Sequence, residues 1–107
     1  MPNPAYYALE KLIQAVHTLA TGAGRIQERL QAAAINLGPA RPEDIPYDDL
    51  RRKFVGIKDD LAFEPAKANE GRIAATMKIT DDEDASAIAG RILSLCDELS
   101  DRLKRSS

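Results

Sequence analysis

Apolar and small residues recur along the first third of the chain with the spacing of one helix face. From Ala5 to Leu37 they follow one another at alternating intervals of four and three residues. Positions separated in this way lie on the same side of an α-helix, so the pattern predicts one amphipathic helix over residues 5–37. The members of this apolar seam are Ala5, Leu9, Leu12, Val16, Leu19, Ala23, Ile26, Leu30, Ala33 and Leu37.

Two glycines lie inside this predicted helix, and the spacing of the apolar residues continues unchanged past them. Gly22 and Gly24 each cost up to about 1 kcal/mol relative to alanine in a helix interior. The regular spacing favours a continuous helix through them, and the alternative is a break at this point that gives two antiparallel helices. Residues beside the seam, such as Ile13 and Ala20, are small or apolar where a two-stranded coiled coil would carry charges. We therefore expect the stretch to be the spine of a bundle with two neighbouring helices.

The remainder of the chain predicts three further helices. Gly38 and Pro39 end the first one. Apolar residues at helical spacing then predict a helix at about 46–62 and a long one at about 80–105. A Thr80–Glu83 capping box, in a run of acidic residues, indicates where the long helix begins. Residues 72–80 also alternate as a strand would, but a lone strand has no pairing partner, so a short helix at about 70–79 is favoured.

The composition agrees with a helical fold. The 107 residues are 44% hydrophobic, yet they include no Trp, two Phe and three Tyr, so the core must be aliphatic. We expect an all-α, single-domain four-helix bundle over residues 1–107.

Charge and cysteine content exclude several classes of protein. The formal net charge of −2 gives no overall attraction for nucleic acid or an anionic membrane. The single cysteine cannot form an internal disulfide, and no apolar run is long enough to span a bilayer. We expect a cytoplasmic protein without a membrane partner.

Three features could carry chemistry, and each has a simpler structural interpretation. His17 lies on the polar face of the first predicted helix without a carboxylate or second histidine one turn away, so we expect an exposed histidine. Cys96 lies beside the apolar stripe of the last helix without a nearby base, so we expect a small buried side chain. The acidic run Asp81–Asp84 lacks the alternation of a calcium loop and is explained by helix capping. We predict no catalytic residue, no cofactor and no metal site, and we expect that the protein is not an enzyme.

Basic residues form the one candidate contact surface. Arg51, Arg52 and Lys53 are consecutive, although neighbouring aspartates dilute their charge and successive helix residues point about 100° apart. Arg25 and Arg29 add two more cations if the fold brings them to the same face. Such a surface would suit an acidic partner or a nucleic-acid backbone.

These observations favour a non-catalytic protein–protein interaction module or complex subunit that acts through a helical surface. A helix over residues 5–37 would extend more than two turns beyond the last helix, and the uncovered seam would suit a homodimer. The alternatives are a nucleic-acid-associated accessory protein that uses the basic residues and, less favoured, a helical bundle that binds a small ligand.

Overall fold

A computed structural model of the chain describes residues 3–65 and 71–106. These residues form helices and connecting turns and contain no strand, which confirms the predicted all-α class. There are five α-helices in these ranges rather than the four that were expected. They are α1 (Pro4–Thr21), α2 (Ile26–Leu37), α3 (Asp48–Leu61), α4 (Arg72–Ile79) and α5 (Asp82–Arg105), with a short 3-10 helix at Pro42–Asp44.

The prediction of one continuous helix over residues 5–37 is wrong, because the chain turns at Gly22–Arg25. The amide of Gly22 still donates to the carbonyl oxygen of Thr18 at 2.8 Å, but Gly22 itself is extended. Gly24 has φ = +94°, a left-handed conformation that side chains disfavour. The break falls at the two glycines, which was the alternative interpretation of this stretch.

The turn folds α2 back along α1 as an antiparallel hairpin. Near the turn, the guanidinium of Arg29 donates to the carbonyl oxygen of Leu19 at 3.0 Å. Farther along, the Asn36 amide donates to the Thr18 hydroxyl at 2.7 Å. Folding back buries the apolar face of α2 in the same core as that of α1. Because residues 5–37 form two helices, the expected overhang of one long helix and the dimer argument built on it are both removed.

The core is aliphatic, as the composition predicted, with one buried phenylalanine. Phe54 of α3 is completely buried together with Leu12 of α1, Leu30 of α2 and Ile92 of α5. Ile45, in the connection before α3, is also completely buried. Lys58 stabilises that connection, because its ammonium donates to the carbonyl oxygen of Ala40 at 2.5 Å. Partial burial lowers the pKa of Lys58.

The short segment before α5 is helical, which confirms the preference for a helix over a strand. α4 begins at Arg72 rather than at about residue 70, which lies outside the described residues. Thr76 of α4 is completely buried. Its hydroxyl donates to the carbonyl oxygen of Arg72 at 2.8 Å and accepts from the amide of Glu64 at 3.0 Å. This residue therefore connects α4 to the chain that follows α3.

The predicted Thr80–Glu83 capping box is not formed. Asp81 is the N-cap of α5, and its carboxylate accepts from the amide of Asp84 at 2.8 Å. The Thr80 hydroxyl instead donates to the carbonyl oxygen of Thr76 at the end of α4. The tight connection between α4 and α5 leaves Thr80 as the end of one helix, so the next residue begins the other.

Candidate interaction groove

A groove runs along the surface between α3 and α5. It consists of two neighbouring cavities of about 640 and 310 Å³. Ala87 and Arg91 line both cavities, so the cavities are adjacent. We call this feature the α3–α5 groove. Its basic end is lined by Arg52, Lys53, Gly56, Gly90, Ser94 and Glu98, and its apolar end by Phe63, Ile79, Asp60 and Asp84.

Three ion pairs connect the two helices that form the groove. Asp49 pairs with Arg102 at 2.6 Å, Lys53 with Glu98 at 2.7 Å, and Asp60 with Arg91 at 2.6 Å. Later residues of α3 pair with earlier residues of α5, so the helices are antiparallel. The Arg102 hydrogen bond, opposed by partial desolvation, lowers the pKa of the Asp49 carboxyl overall. The pairs are partly exposed, so they contribute less to stability than to alignment.

The basic end of the groove contains an arginine with unused hydrogen-bonding capacity. The Arg52 side chain is exposed, and its Nε donates to the carbonyl oxygen of Asp48 at 3.3 Å. Its terminal guanidinium nitrogens have no acceptor within the described part of the chain. Lys53 lies beside it, although its charge is partly offset by Glu98. This end of the groove can therefore offer donors to an anionic group.

Two glycines shape the floor and walls of the basic end. A β-carbon on Gly56 would lie 3.2 Å from Nη2 of Arg91, so the bare backbone of α3 makes room for that guanidinium. A β-carbon on Gly90 would have no atom within 4 Å among the described residues, apart from the neighbouring backbone of its own helix. Gly90 therefore costs α5 about 1 kcal/mol of helix stability relative to alanine without any close packing inside this chain to require it.

The other end of the groove exposes two large apolar side chains. Phe63 is 54% exposed and Ile79 is 59% exposed. They lie at the C-terminal ends of α3 and α4, next to the first turns of α5. The α3–α5 groove thus combines an apolar end with a basic end.

The structure brings together two of the five basic residues predicted as a contact surface. Arg52 and Lys53 line the α3–α5 groove. Arg51 instead donates from Nε to the carbonyl oxygen of Ile45 at 2.9 Å and pairs with Asp48. It therefore stabilises the start of α3.

The remaining two predicted basic residues lie at the turn between α1 and α2. Arg25 is exposed and lies 3.6 Å from Asp82, and Arg29 is half-buried against α1. Neither lines the α3–α5 groove. The five residues therefore do not form one surface.

Arg91 and Phe63 were not predicted as contributors to this groove. Arg91 is isolated among apolar and small residues of α5, and Phe63 lies in the turn that ends α3. The sequence did show Gly56 and Gly90, which lie inside helices at positions outside the apolar seams of those helices. Only the pairing of α3 with α5 places both glycines at one groove.

The other candidate side chains are placed as the sequence indicated. His17 is exposed on α1, and Cys96 is 8% exposed beside the core. Burial raises the pKa of the Cys96 thiol, which disfavours the thiolate. Nowhere in residues 3–65 and 71–106 do three or more His, Cys, Asp or Glu side chains gather so that they could hold a metal ion. None of the helices in these ranges combines the length and apolar character needed to cross a bilayer.

Comparisons with protein-family models, with curated proteins and with solved structures find no match to this chain. Its function must therefore be inferred from the groove and from the surface around it.

Proposed function

We propose that the protein is a non-catalytic interaction module that binds an acidic segment of a partner protein in the α3–α5 groove. The observation that carries this proposal is the combination, in one groove, of an arginine whose terminal nitrogens have no acceptor among the described residues and two exposed apolar side chains. A peptide with carboxylates near one end and a large apolar residue near the other would complement both.

The dimensions of the groove suit a peptide. Along α5 it extends from Asp84 to Glu98. At 1.5 Å per helical residue this is about 21 Å, which accommodates about six extended residues or four helical turns. A peptide of this length can reach both ends of the groove at once.

One cation at the basic end that is unpaired among the described residues, Arg52, favours a carboxylate at that end of a bound segment. Arg52, Lys53 and Arg91 contribute three positive charges, of which two are already paired with Glu98 and Asp60. Arg52 can form a bidentate pair with a carboxylate, because its terminal nitrogens are not otherwise engaged.

The surroundings of the groove argue for protein rather than nucleic acid. Acidic groups alternate with the basic ones along the groove, and Asp84 lies at its apolar end. A phosphate backbone requires a surface of one charge sign, since its affinity depends on the number of cations that it contacts.

A displayed library of random 16-residue peptides tests this proposal. We expect selected peptides to combine Asp or Glu with Leu, Ile or Phe. We expect Arg52→Glu to weaken their binding at least about tenfold, because a like charge replaces an attractive one. Phe63→Ser should weaken it as well. Arg25→Glu makes the same charge change outside the groove and should leave affinity unchanged.

Three outcomes would contradict the proposal. The library could enrich no peptide, or the enriched peptides could bind Arg52→Glu and Phe63→Ser as well as the original protein. A third contrary outcome is tight, salt-dependent binding of a random-sequence DNA or RNA that Arg52→Glu abolishes, which would favour the nucleic-acid alternative.

A further inference from the structure

The outer side of α1 carries a second apolar seam, which shares two half-buried residues with the first seam and otherwise faces solvent. Tyr6, Leu9, Ile13, Val16 and Ala20 follow one another at intervals of three and four residues. Tyr6 is 49% exposed, Ile13 is 52% exposed, and Ala20 is exposed. Leu9 and Val16 are half-buried, because one side of each packs against the core. This spacing of apolar residues is that of the a and d positions in a coiled coil.

We infer that two copies of this chain associate through this seam, with α1 of one copy antiparallel to α1 of the other. This surface is separate from the α3–α5 groove, and the dimer does not depend on the function proposed for that groove.

Charge complementarity favours a second copy in the antiparallel orientation. Glu10 and His17 flank the seam on its solvent side. When Ile13 of one copy packs on Val16 of the other, the register brings Glu10 of each copy beside His17 of its partner. The imidazole N–H can then donate to the Glu10 carboxylate, and symmetry provides this contact twice. A parallel pair would leave both groups without these contacts.

Shape complementarity favours the same register. Ala20, Ile26 and Leu93 line an apolar hollow of about 290 Å³ beside the end of α1. The register places Tyr6 of the second copy just beyond Ala20, at this hollow. A large exposed ring would thus meet a depression, and the depression and the ring would both lose apolar surface to solvent.

The available area indicates a weak dimer. α1 has 18 residues and is about 27 Å long, and the face that it forms with α5 is about 20 Å wide. A symmetric pair would bury on the order of 1,000 Å² in total, which is the lower end of the range for specific interfaces. We therefore expect a reversible, concentration-dependent dimer rather than an obligate one.

Sedimentation velocity over a concentration series from about 5 µM to 1 mM tests the inference. The mass should rise from the 11.7 kDa of one chain toward twice that value. Ile13→Glu should weaken association at least about tenfold, because it places a charge in the middle of the apolar seam. Ile35→Glu is the matched control, since Ile35 is 71% exposed on α2 and lies outside the seam. Both variants should keep the original far-ultraviolet circular dichroism spectrum.

A charge exchange tests the antiparallel register. Glu10→Lys and His17→Glu should each weaken the dimer. The double variant should restore it, because the introduced ammonium of one copy would then face the introduced carboxylate of the other. A chain that stays monomeric at about 1 mM would overturn the inference. So would association that Ile13→Glu leaves unchanged, or single variants that the double variant fails to rescue.

Discussion

Replacing Gly24 with alanine should destabilise the protein, because the turn between α1 and α2 depends on its left-handed backbone. Gly24 has φ = +94°, and a non-glycine residue in such a conformation costs about 1–2 kcal/mol. Alanine also restricts the unfolded chain, which offsets about 0.4–1 kcal/mol of that cost. We expect the free energy of unfolding to fall by about 1 kcal/mol, and the midpoint of thermal unfolding by roughly 4–8 °C.

A second substitution separates backbone strain from crowding. A β-carbon on Gly24 would lie 2.6 Å from Oε2 of Glu28, which is the end of a flexible side chain and can rotate away. Gly24→Ala should therefore remain destabilising when it is combined with Glu28→Ala. If removal of Glu28 abolished the effect, crowding rather than backbone conformation would be its cause.

Gly90→Ala is a matched control that should change the free energy of unfolding in the opposite direction. Gly90 is inside α5, and its added methyl group would contact no other atom within 4 Å. Alanine there should stabilise the protein by up to about 1 kcal/mol, because its helix propensity is higher. Chemical denaturation followed by circular dichroism measures both variants. A stabilising Gly24→Ala would refute the argument, because alanine stabilises only if residue 24 is part of a continuous helix.

Three further predictions concern the core and the contacts between helices. Thr76→Val should cost about 1 kcal/mol of unfolding free energy, because the part-buried amide of Glu64 loses its acceptor, whereas Thr76→Ser should cost less. Urea denaturation of both variants checks this. Phe54→Ala should cost about 3–5 kcal/mol in the same assay, because it leaves a cavity in the core; a loss below about 1 kcal/mol would contradict the complete burial of this ring. The contact with Arg102 lowers the pKa of Asp49, so its contribution to stability is fully present above the pKa of the unfolded carboxyl, about pH 4, and declines as the pH falls through the lower pKa of the folded protein. The difference in unfolding free energy between the original protein and Asp49→Asn should therefore be largest near neutral pH and vanish in acid. A difference that does not depend on pH would contradict this.

Local sequence accounts for several helix ends. Asn3 caps α1, where its side chain accepts from the amide of Ala5 at 3.0 Å, and Pro4 is the first helical residue. Gly38 ends α2 as expected. These helix ends can be predicted from the sequence because capping depends on a few adjacent residues. Asp81, rather than Thr80, caps α5 because Thr80 is already the C-cap of α4.

The candidate groove was only partly predictable. The cluster that includes Arg52 and Lys53 was visible in the sequence, but its relation to Arg91 and Phe63 was not. Groups from α3, α4 and α5 meet there because α3 and α5 pack antiparallel. The positions of Arg25 and Arg29 were not predictable either. Both residues lie near the turn of the α1–α2 hairpin, away from the groove.

The sequence by itself determined that the chain forms amphipathic helices with an aliphatic core. The spacing of the apolar residues predicts the helices, and the scarcity of aromatic residues predicts the aliphatic core. It did not determine whether residues 5–37 form one helix or two, since a long helix and a helical hairpin both require a single apolar face. Only the tertiary structure decided this, by burying Leu30 and Leu37 against the same core as Leu12. A glycine that can adopt positive φ made the turn possible, and burial of the second apolar face made it favourable.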